Sequence, residues 1–144
     1  MAHPLVLAAV LVGAGAAAAI DLRTRRVPDR LTLALGATGL ALATTRFGSI
    51  GVTEACLGAL TGLLLMLPGF LFGATGGGDV KLLAAAGTLL GPGATLSAFL
   101  ATLIVGGVMA AALAVHRRWT NRSDRSFAYA PAIAAGVTFA VVFA

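Results

Sequence analysis

The sequence predicts an all-α membrane protein: a bundle of six transmembrane helices that forms a single domain over residues 1–144. Hydrophobic residues make up 59% of the chain and charged residues only 10%, too little charge to cover the surface of a soluble domain. Apolar runs long enough to cross a bilayer recur along the chain, whose mean hydropathy is +0.99. The expected solvent for most of its surface is therefore lipid.

The apolar runs give the order of the predicted helices. They are expected over residues 4–20, 31–45, 51–72, 80–90, 94–115 and 129–143. The first run lacks the basic region of a signal peptide, so we expect a retained helix. The fourth is short of the roughly 20 residues that a full crossing needs. Gly91-Pro92-Gly93 is expected to end it.

Lysine and arginine are distributed unequally between the two predicted membrane faces. With six helices, one face has only Arg46, and the other has Arg23, Arg25, Arg26, Arg30, Lys81, Arg117, Arg118, Arg122 and Arg125. Because basic loops stay in the cytoplasm, both termini are predicted to lie outside the cytoplasmic membrane. The net charge of +5 is explained by these loops, so no nucleic-acid partner is expected.

Two of the few acidic residues are predicted to meet at the cytoplasmic face. Asp21 ends the first helix and Asp79 begins the fourth, so the opposite directions of these helices place both carboxyls at one depth. Such a pair can hydrolyse an amide, because one carboxylate takes a proton from water while the other carboxyl donates to the carbonyl oxygen. Helix dipoles favour Asp79 as the base and Asp21 as the donor, whereas the nearby arginines favour an Asp21 anion.

Each aspartate also has a purely structural interpretation. Asp79 follows three glycines and opens a helix, as an N-cap residue does. Asp21 opposes the dipole of its own helix, and Arg23 and Arg25 are in reach to neutralise it. An acid inside a membrane protein is nevertheless a functional candidate first.

The remaining acids are predicted to be structural. Asp29 follows Pro28 and precedes an apolar run, which predicts an N-cap for the second helix. Asp124 lies in a basic loop, and Glu54 lies near the outer end of the third helix.

The glycines have two interpretations. Gly76, Gly77 and Gly78 form either a flexible turn or a segment where a substrate backbone approaches Asp79 with no Cβ in the way. The Gly58-x-x-x-Gly62 and Gly87-x-x-x-Gly91 spacings are expected to mark close helix packing within the chain.

Other hydrolase chemistries lack their residues in this sequence. There is no HExxH motif, His3 and His116 are predicted on opposite faces, and Cys56 is the single cysteine. We therefore expect neither a metal nor another cofactor.

Three stretches resemble the type IV prepilin peptidase family. D-L-R-T-R-R-V-P-D-R-L-T over 21–32 resembles the first catalytic motif, G-G-G-D-V-K-L over 76–82 the GxGD motif, and F-A-Y-A-P-A-I-A-A-G over 127–136 the last helix. The resemblance implies a GxGD-type bundle in which Asp21 and Asp79 are the catalytic aspartates. It also implies an enzyme that removes the short basic leader of prepilins, usually after a glycine, on the cytoplasmic side of their hydrophobic segment.

The resemblance also carries a difference. Larger members have a cytosolic insertion with paired cysteines, and they also methylate the new amino terminus. This sequence has neither the insertion nor the paired cysteines. It resembles the short, peptidase-only forms that serve Flp/Tad pili or archaeal preflagellins, so no methyltransferase activity is expected. Two other functions stay open from the residues alone: a proton- or cation-coupled small transporter, and a non-catalytic scaffold for pilus assembly.

Overall fold

A computed structural model describes residues 4–24, 27–45, 50–120 and 130–143, and over these residues the chain is helical with no strand. The five helices are α1 Pro4–Thr24, α2 Asp29–Ala43, α3 Val52–Leu71, α4 Gly77–Thr120 and α5 Ala130–Phe143. The predicted all-α class is confirmed for this part of the chain. Asp124 and His3 lie outside the described residues.

The count of six helices is not confirmed, because residues 77–120 form one helical element. The predicted break is present inside it, at Gly91, whose φ of 74° and ψ of 172° are not helical. This combination is essentially restricted to glycine, because a Cβ would clash with the backbone. Pro92 follows and has no N–H to continue the hydrogen-bond ladder.

The contacts of α4 show that the chain turns back at this break. The start of α4 lies at the same end of the bundle as the start of α5, because Asp79 and Ala130 both adjoin Asp21. Gly136 lies about 9 Å along α5 from Ala130, and it packs against Ala98 of α4. Ala98 is therefore only about 9 Å from this end of the bundle, whereas in a straight helix it would lie about 28 Å from Asp79. The two halves of α4 therefore run in opposite directions.

Glycines bring α3 and α4 into backbone contact. A Cβ added at Gly62 would lie 2.6 Å from the carbonyl oxygen of Leu83, and one at Gly58 would overlap the carbonyl of Gly87. These pairs run antiparallel and leave no room for a side chain. The prediction that these spacings mark packing within the chain is confirmed for all four glycines, because a Cβ at Gly58 would also lie 2.9 Å from Cα of Gly91, which forms the break as well.

Apolar surface lies both inside and outside the bundle. Leu82 and Leu83 of α4 and Ile133 of α5 are fully buried, whereas Val12 of α1 and Ile104 of α4 are about 70% exposed. The segments Pro4–Thr24, Val52–Leu71 and Gly77–Ala112 are long and apolar enough to cross a membrane. An outer surface of this kind is suited to lipid, and the chain is a multi-pass membrane protein.

Candidate active site

Asp21 and Asp79 line one cavity of about 270 Å³ at one end of the bundle. Asp29, Val27 and the glycines 76–78 complete its lining. The structure thus brings together the two carboxyls that were predicted to meet, although 58 positions separate them in the chain. It also adds a third carboxyl that was expected to act only as a cap.

Asp21 lies in the last turns of α1 and is 5% exposed. The helix continues to Thr24, four residues beyond the predicted end at Ile20. One carboxylate oxygen, Oδ2, accepts a hydrogen bond from the backbone N–H of Ala130 at 3.3 Å. Ala130 belongs to α5, so a helix distant in the sequence supplies a donor to Asp21 at the end of α1.

Asp79 lies in the first turn of α4 and is 8% exposed. The helix begins at Gly77 rather than at the predicted Val80, because the carbonyl of Gly76 accepts from the N–H groups of Asp79 and Val80. Oδ2 of Asp79 accepts from the N–H of Gly76 at 3.1 Å. Asp79 is therefore not the N-cap residue. It is the third helical residue, and it reaches back as the acid of a capping box does.

Both carboxylates accept a backbone N–H, that of Ala130 in α5 for Asp21 and that of Gly76 just before α4 for Asp79. The assignment of Asp79 as the base and Asp21 as the donor, made from the helix dipoles, stays a prediction.

The glycine segment is more ordered than a flexible turn. Gly77 and Gly78 already belong to α4, and only Gly76 precedes it. A Cβ at Gly78 would lie 3.1 Å from Cβ of Val27, so this glycine packs closely against the segment that precedes α2. All three glycines line the cavity with main chain, as a backbone-binding segment requires.

The N-cap prediction for Asp29 is wrong. Pro28 is the N-cap residue of α2, with extended backbone and no side-chain cap hydrogen bond. Asp29 is the first helical residue, and its Oδ1 lies 2.8 Å from Nζ of Lys81 in α4. The pair is well exposed, at 65% for Asp29 and 55% for Lys81. The carboxylate thus points to a neighbouring helix and not to the N–H groups of its own.

Lys81 is the residue of this region that sequence reasoning missed. It was interpreted only as a cytoplasmic charge, although it lies within the G-G-G-D-V-K-L stretch. Two positions after Asp79, it faces α2 and not the carboxylate cavity. Among the residues that the structure describes, no group of three or more His, Cys, Asp or Glu is placed to hold a metal ion.

The arrangement of motifs and carboxyls agrees with the comparison to known proteins. Residues 6–111 match the model of the type IV leader peptidase family, and this span includes both aspartates and the three glycines. The chain belongs to the type IV leader peptidase family. The resemblance inferred from residues 21–32 and 76–82 is confirmed, while the stretch 127–136 lies outside the matched span.

One relative of this chain is the prepilin leader peptidase/N-methyltransferase of Bacillus subtilis (strain 168). The two are 36% identical over 89 residues, which is 60% of this chain. The match covers 35% of the relative, so the aligned part of this chain spans about a third of the relative's length. No solved structure matches the chain.

Proposed function

We propose that this protein is a membrane aspartyl endopeptidase that removes the leader peptide of type IV prepilin-like substrates, of the Flp/Tad or flagellin-like kind. The observation that carries the proposal is the position of Asp21 and Asp79, two buried carboxyls on separate helices that line one cavity in a member of the type IV leader peptidase family.

The chemistry needs only these two groups and water. One ionised carboxylate takes a proton from water, and the resulting hydroxide attacks the carbonyl carbon of the substrate. The other carboxyl, protonated, donates to the carbonyl oxygen and so stabilises the tetrahedral intermediate. When the C–N bond breaks, the leaving nitrogen takes the proton that the base acquired from water, and a hydroxyl of the intermediate returns a proton to the other carboxylate. The main chain of 76–78 lets an extended substrate approach Asp79.

The cavity faces the cytoplasm in this proposal. Arg23, Arg30 and Lys81 lie near the end of the bundle that contains both aspartates, as expected for a cytoplasmic face. The break at Gly91 supports six crossings, because it turns the second half of α4 back towards this end. Six crossings place both termini on the same side of the membrane. Because the cavity at the other end faces the cytoplasm, both termini lie outside the cytoplasmic membrane.

The proposal covers peptide-bond cleavage and requires no cofactor. The relative's name also includes an N-methyltransferase, but the matched region is only 35% of that relative. Methyl transfer is therefore not proposed. The transporter alternative is less well supported, because transporter sites lie near the membrane midplane and both aspartates lie at helix ends.

A cleavage assay with the purified, lipid-reconstituted protein and a panel of prepilin-like substrates tests this function. We expect Asp21→Asn and Asp79→Asn each to lower the cleavage rate by at least about 100-fold, because each role needs an ionisable group. Glu54→Gln is the matched control, since Glu54 is an exposed acid in the first turn of α3, at the opposite end. Cleavage that persists in Asp79→Asn rules out the aspartyl mechanism. A folded protein that cleaves no substrate favours the scaffold or transporter function.

A further inference from the structure

A second and larger cavity lies beside the carboxylates, on the side of the bundle. It has a volume of about 640 Å³ and opens between α2, α3 and the first half of α4. We call it the lateral groove and define it by six of its lining residues: Ala37, Leu40, Cys56, Ala59, Ala84 and Thr88.

The lateral groove adjoins the carboxylate cavity. Asp29 lines both of them, and its ion pair with Lys81 forms the rim where they meet. From Asp29 to Leu40 the groove follows α2 for about 16 Å, at 1.5 Å per residue. This length corresponds to about eleven residues of another helix.

The wall of the groove is suited to a helix. Beyond the rim it is mainly apolar, because the hydroxyls of Thr32 and Thr88 bond to carbonyl oxygens of their own helices. Ala37, Ala59 and Ala84 contribute little more than a methyl group each. Small residues allow the backbone of a neighbouring helix to approach closely in a membrane. The apolar lining also disfavours a peptide that is not helical, because its unpaired backbone N–H and C=O groups would lose their hydrogen bonds to water.

The two neighbouring cavities differ in charge. The carboxylate cavity is lined by Asp21, Asp29 and Asp79, of which Asp29 is paired with a lysine. A positive segment is therefore favoured at the carboxylates and an apolar segment along the groove. A peptide chain with a basic part and an apolar helix on either side of one bond is complementary to both at once.

From this adjacency and charge pattern we infer that the lateral groove binds the apolar helix of the substrate that follows the cleaved bond. The inference rests on the proposed function, because it places the cleaved bond at Asp21 and Asp79. It assigns substrate recognition to α2, α3 and the first half of α4, outside the carboxylate cavity itself.

The helix pairing gives the depth of the groove in residues. Gly58 packs against Gly87 and Gly62 against Leu83, so the antiparallel register places Cys56 level with Leu89. Leu89 is ten positions after Asp79, which is about 15 Å along α4. A helical substrate therefore passes Cys56 about ten residues beyond the cleaved bond.

The exposed native Cys56 allows a direct test of this register. Membrane-reconstituted Asp79→Asn protein is mixed with intact substrates that carry one cysteine at successive positions, and disulfide formation is measured. We expect a maximum about ten residues after the cleaved bond, weaker bonds three to four residues to either side, and none in a Cys56→Ala background. The same scan with wild-type protein and cleaved product keeps the test independent of the Asp79 variant.

Other occupants of the groove give other results. A lipid chain gives no disulfide to the substrate at any position. A second copy of the protein gives a Cys56–Cys56 dimer in the absence of substrate. Either result, or equal disulfide formation at all substrate positions, overturns the inference.

Filling the groove provides a second test. Ala37 is exposed on α2, so Ala37→Trp fills the groove without removing a buried side chain. The quantity to measure is the ratio of two cleavage rates, that of a membrane-anchored substrate to that of a short peptide that spans only the cleaved bond. We expect this ratio to fall at least about 10-fold, because the substrate helix no longer binds in the groove. Ala8→Trp, on an exposed position of α1 outside the groove, keeps the wild-type ratio.

The two proposals fail in different ways. If the wild-type protein cleaves neither substrate, the proposed function is wrong. If it cleaves both and Ala37→Trp keeps the wild-type ratio, only the inference about the groove is wrong.

Discussion

The carboxylate of Asp21 accepts a hydrogen bond from the backbone N–H of Ala130, 109 positions further along the chain. The contact joins the end of α1 to the start of α5 and fixes one of the two proposed catalytic carboxyls. It also affects the design of variants. Asn at position 21 keeps an oxygen that accepts the Ala130 N–H, so Asp21→Asn separates the loss of the ionisable group from the loss of this contact.

The ion pair between Asp29 and Lys81 predicts equal effects for two substitutions. Because Pro28 is the N-cap residue and Asp29 makes no cap hydrogen bond, Ala at position 29 is no worse for the helix end than Asn. We expect Asp29→Asn and Asp29→Ala each to lower the free energy of unfolding by less than about 1 kcal/mol, as for other exposed pairs. Denaturant unfolding in detergent micelles measures both. If Asp29→Ala were markedly less stable than Asp29→Asn, the result would support a cap role for Asp29.

The contact between α3 and α4 predicts a large effect at Gly62. A Cβ there lies 2.6 Å from the carbonyl oxygen of Leu83, so the two backbones must separate. We expect Gly62→Ala to lower the free energy of unfolding by about 1–3 kcal/mol. Gly107→Ala is the control, because a Cβ at Gly107 meets nothing within 4 Å, and alanine is the better helix former. Equal stability of the two variants would argue against the close packing.

The break in α4 predicts a backbone effect at Gly91. A Cβ at this position has ordinary contacts with Ile50 at 3.6 Å, so the cost of Gly91→Ala comes from the positive φ of 74°. We expect a loss of about 1–3 kcal/mol in the free energy of unfolding. Gly93→Ala is the control, because a Cβ at Gly93 meets nothing within 4 Å. This variant should leave the thermal midpoint nearly unchanged. A Gly91→Ala protein as stable as this control contradicts the described backbone.

The proposed orientation predicts which loops are accessible from outside the cell. In a Cys56→Ala background, Glu54→Cys at the start of α3 should react with a membrane-impermeant maleimide on intact cells. Ala74→Cys, in the exposed loop beside the carboxylate end, should react only after permeabilisation. The reverse pattern would place both aspartates on the outer face and contradict the cytoplasmic site.

The carboxylate mechanism predicts that cleavage does not depend on a metal ion. Asp21 and Asp79 supply the base and the acid, so EDTA should leave the cleavage rate within about a factor of two of the untreated enzyme. Addition of zinc to the treated enzyme is the control. Loss of activity with EDTA and recovery with zinc would show that a metal activates the water.

The amino-acid sequence by itself determined the helical class, the membrane environment and the aspartate pair. Hydropathy over twenty residues can be read locally from the sequence. In lipid, an apolar segment must satisfy its own backbone hydrogen bonds, so each such segment forms a helix. The alternation of helix direction then placed Asp21 and Asp79 at one end. The local motifs around them were also sufficient to indicate the type IV leader peptidase family.

The tertiary structure alone decided the partners of these residues. Asp21 meets Ala130, Asp29 turns to Lys81 instead of capping α2, and α1 continues to Thr24. The lateral groove likewise appears only when three helices lie side by side. The physical reason is the same in each case. Polar groups at helix ends have several possible hydrogen-bond partners, and the packing of helices distant in sequence selects among them.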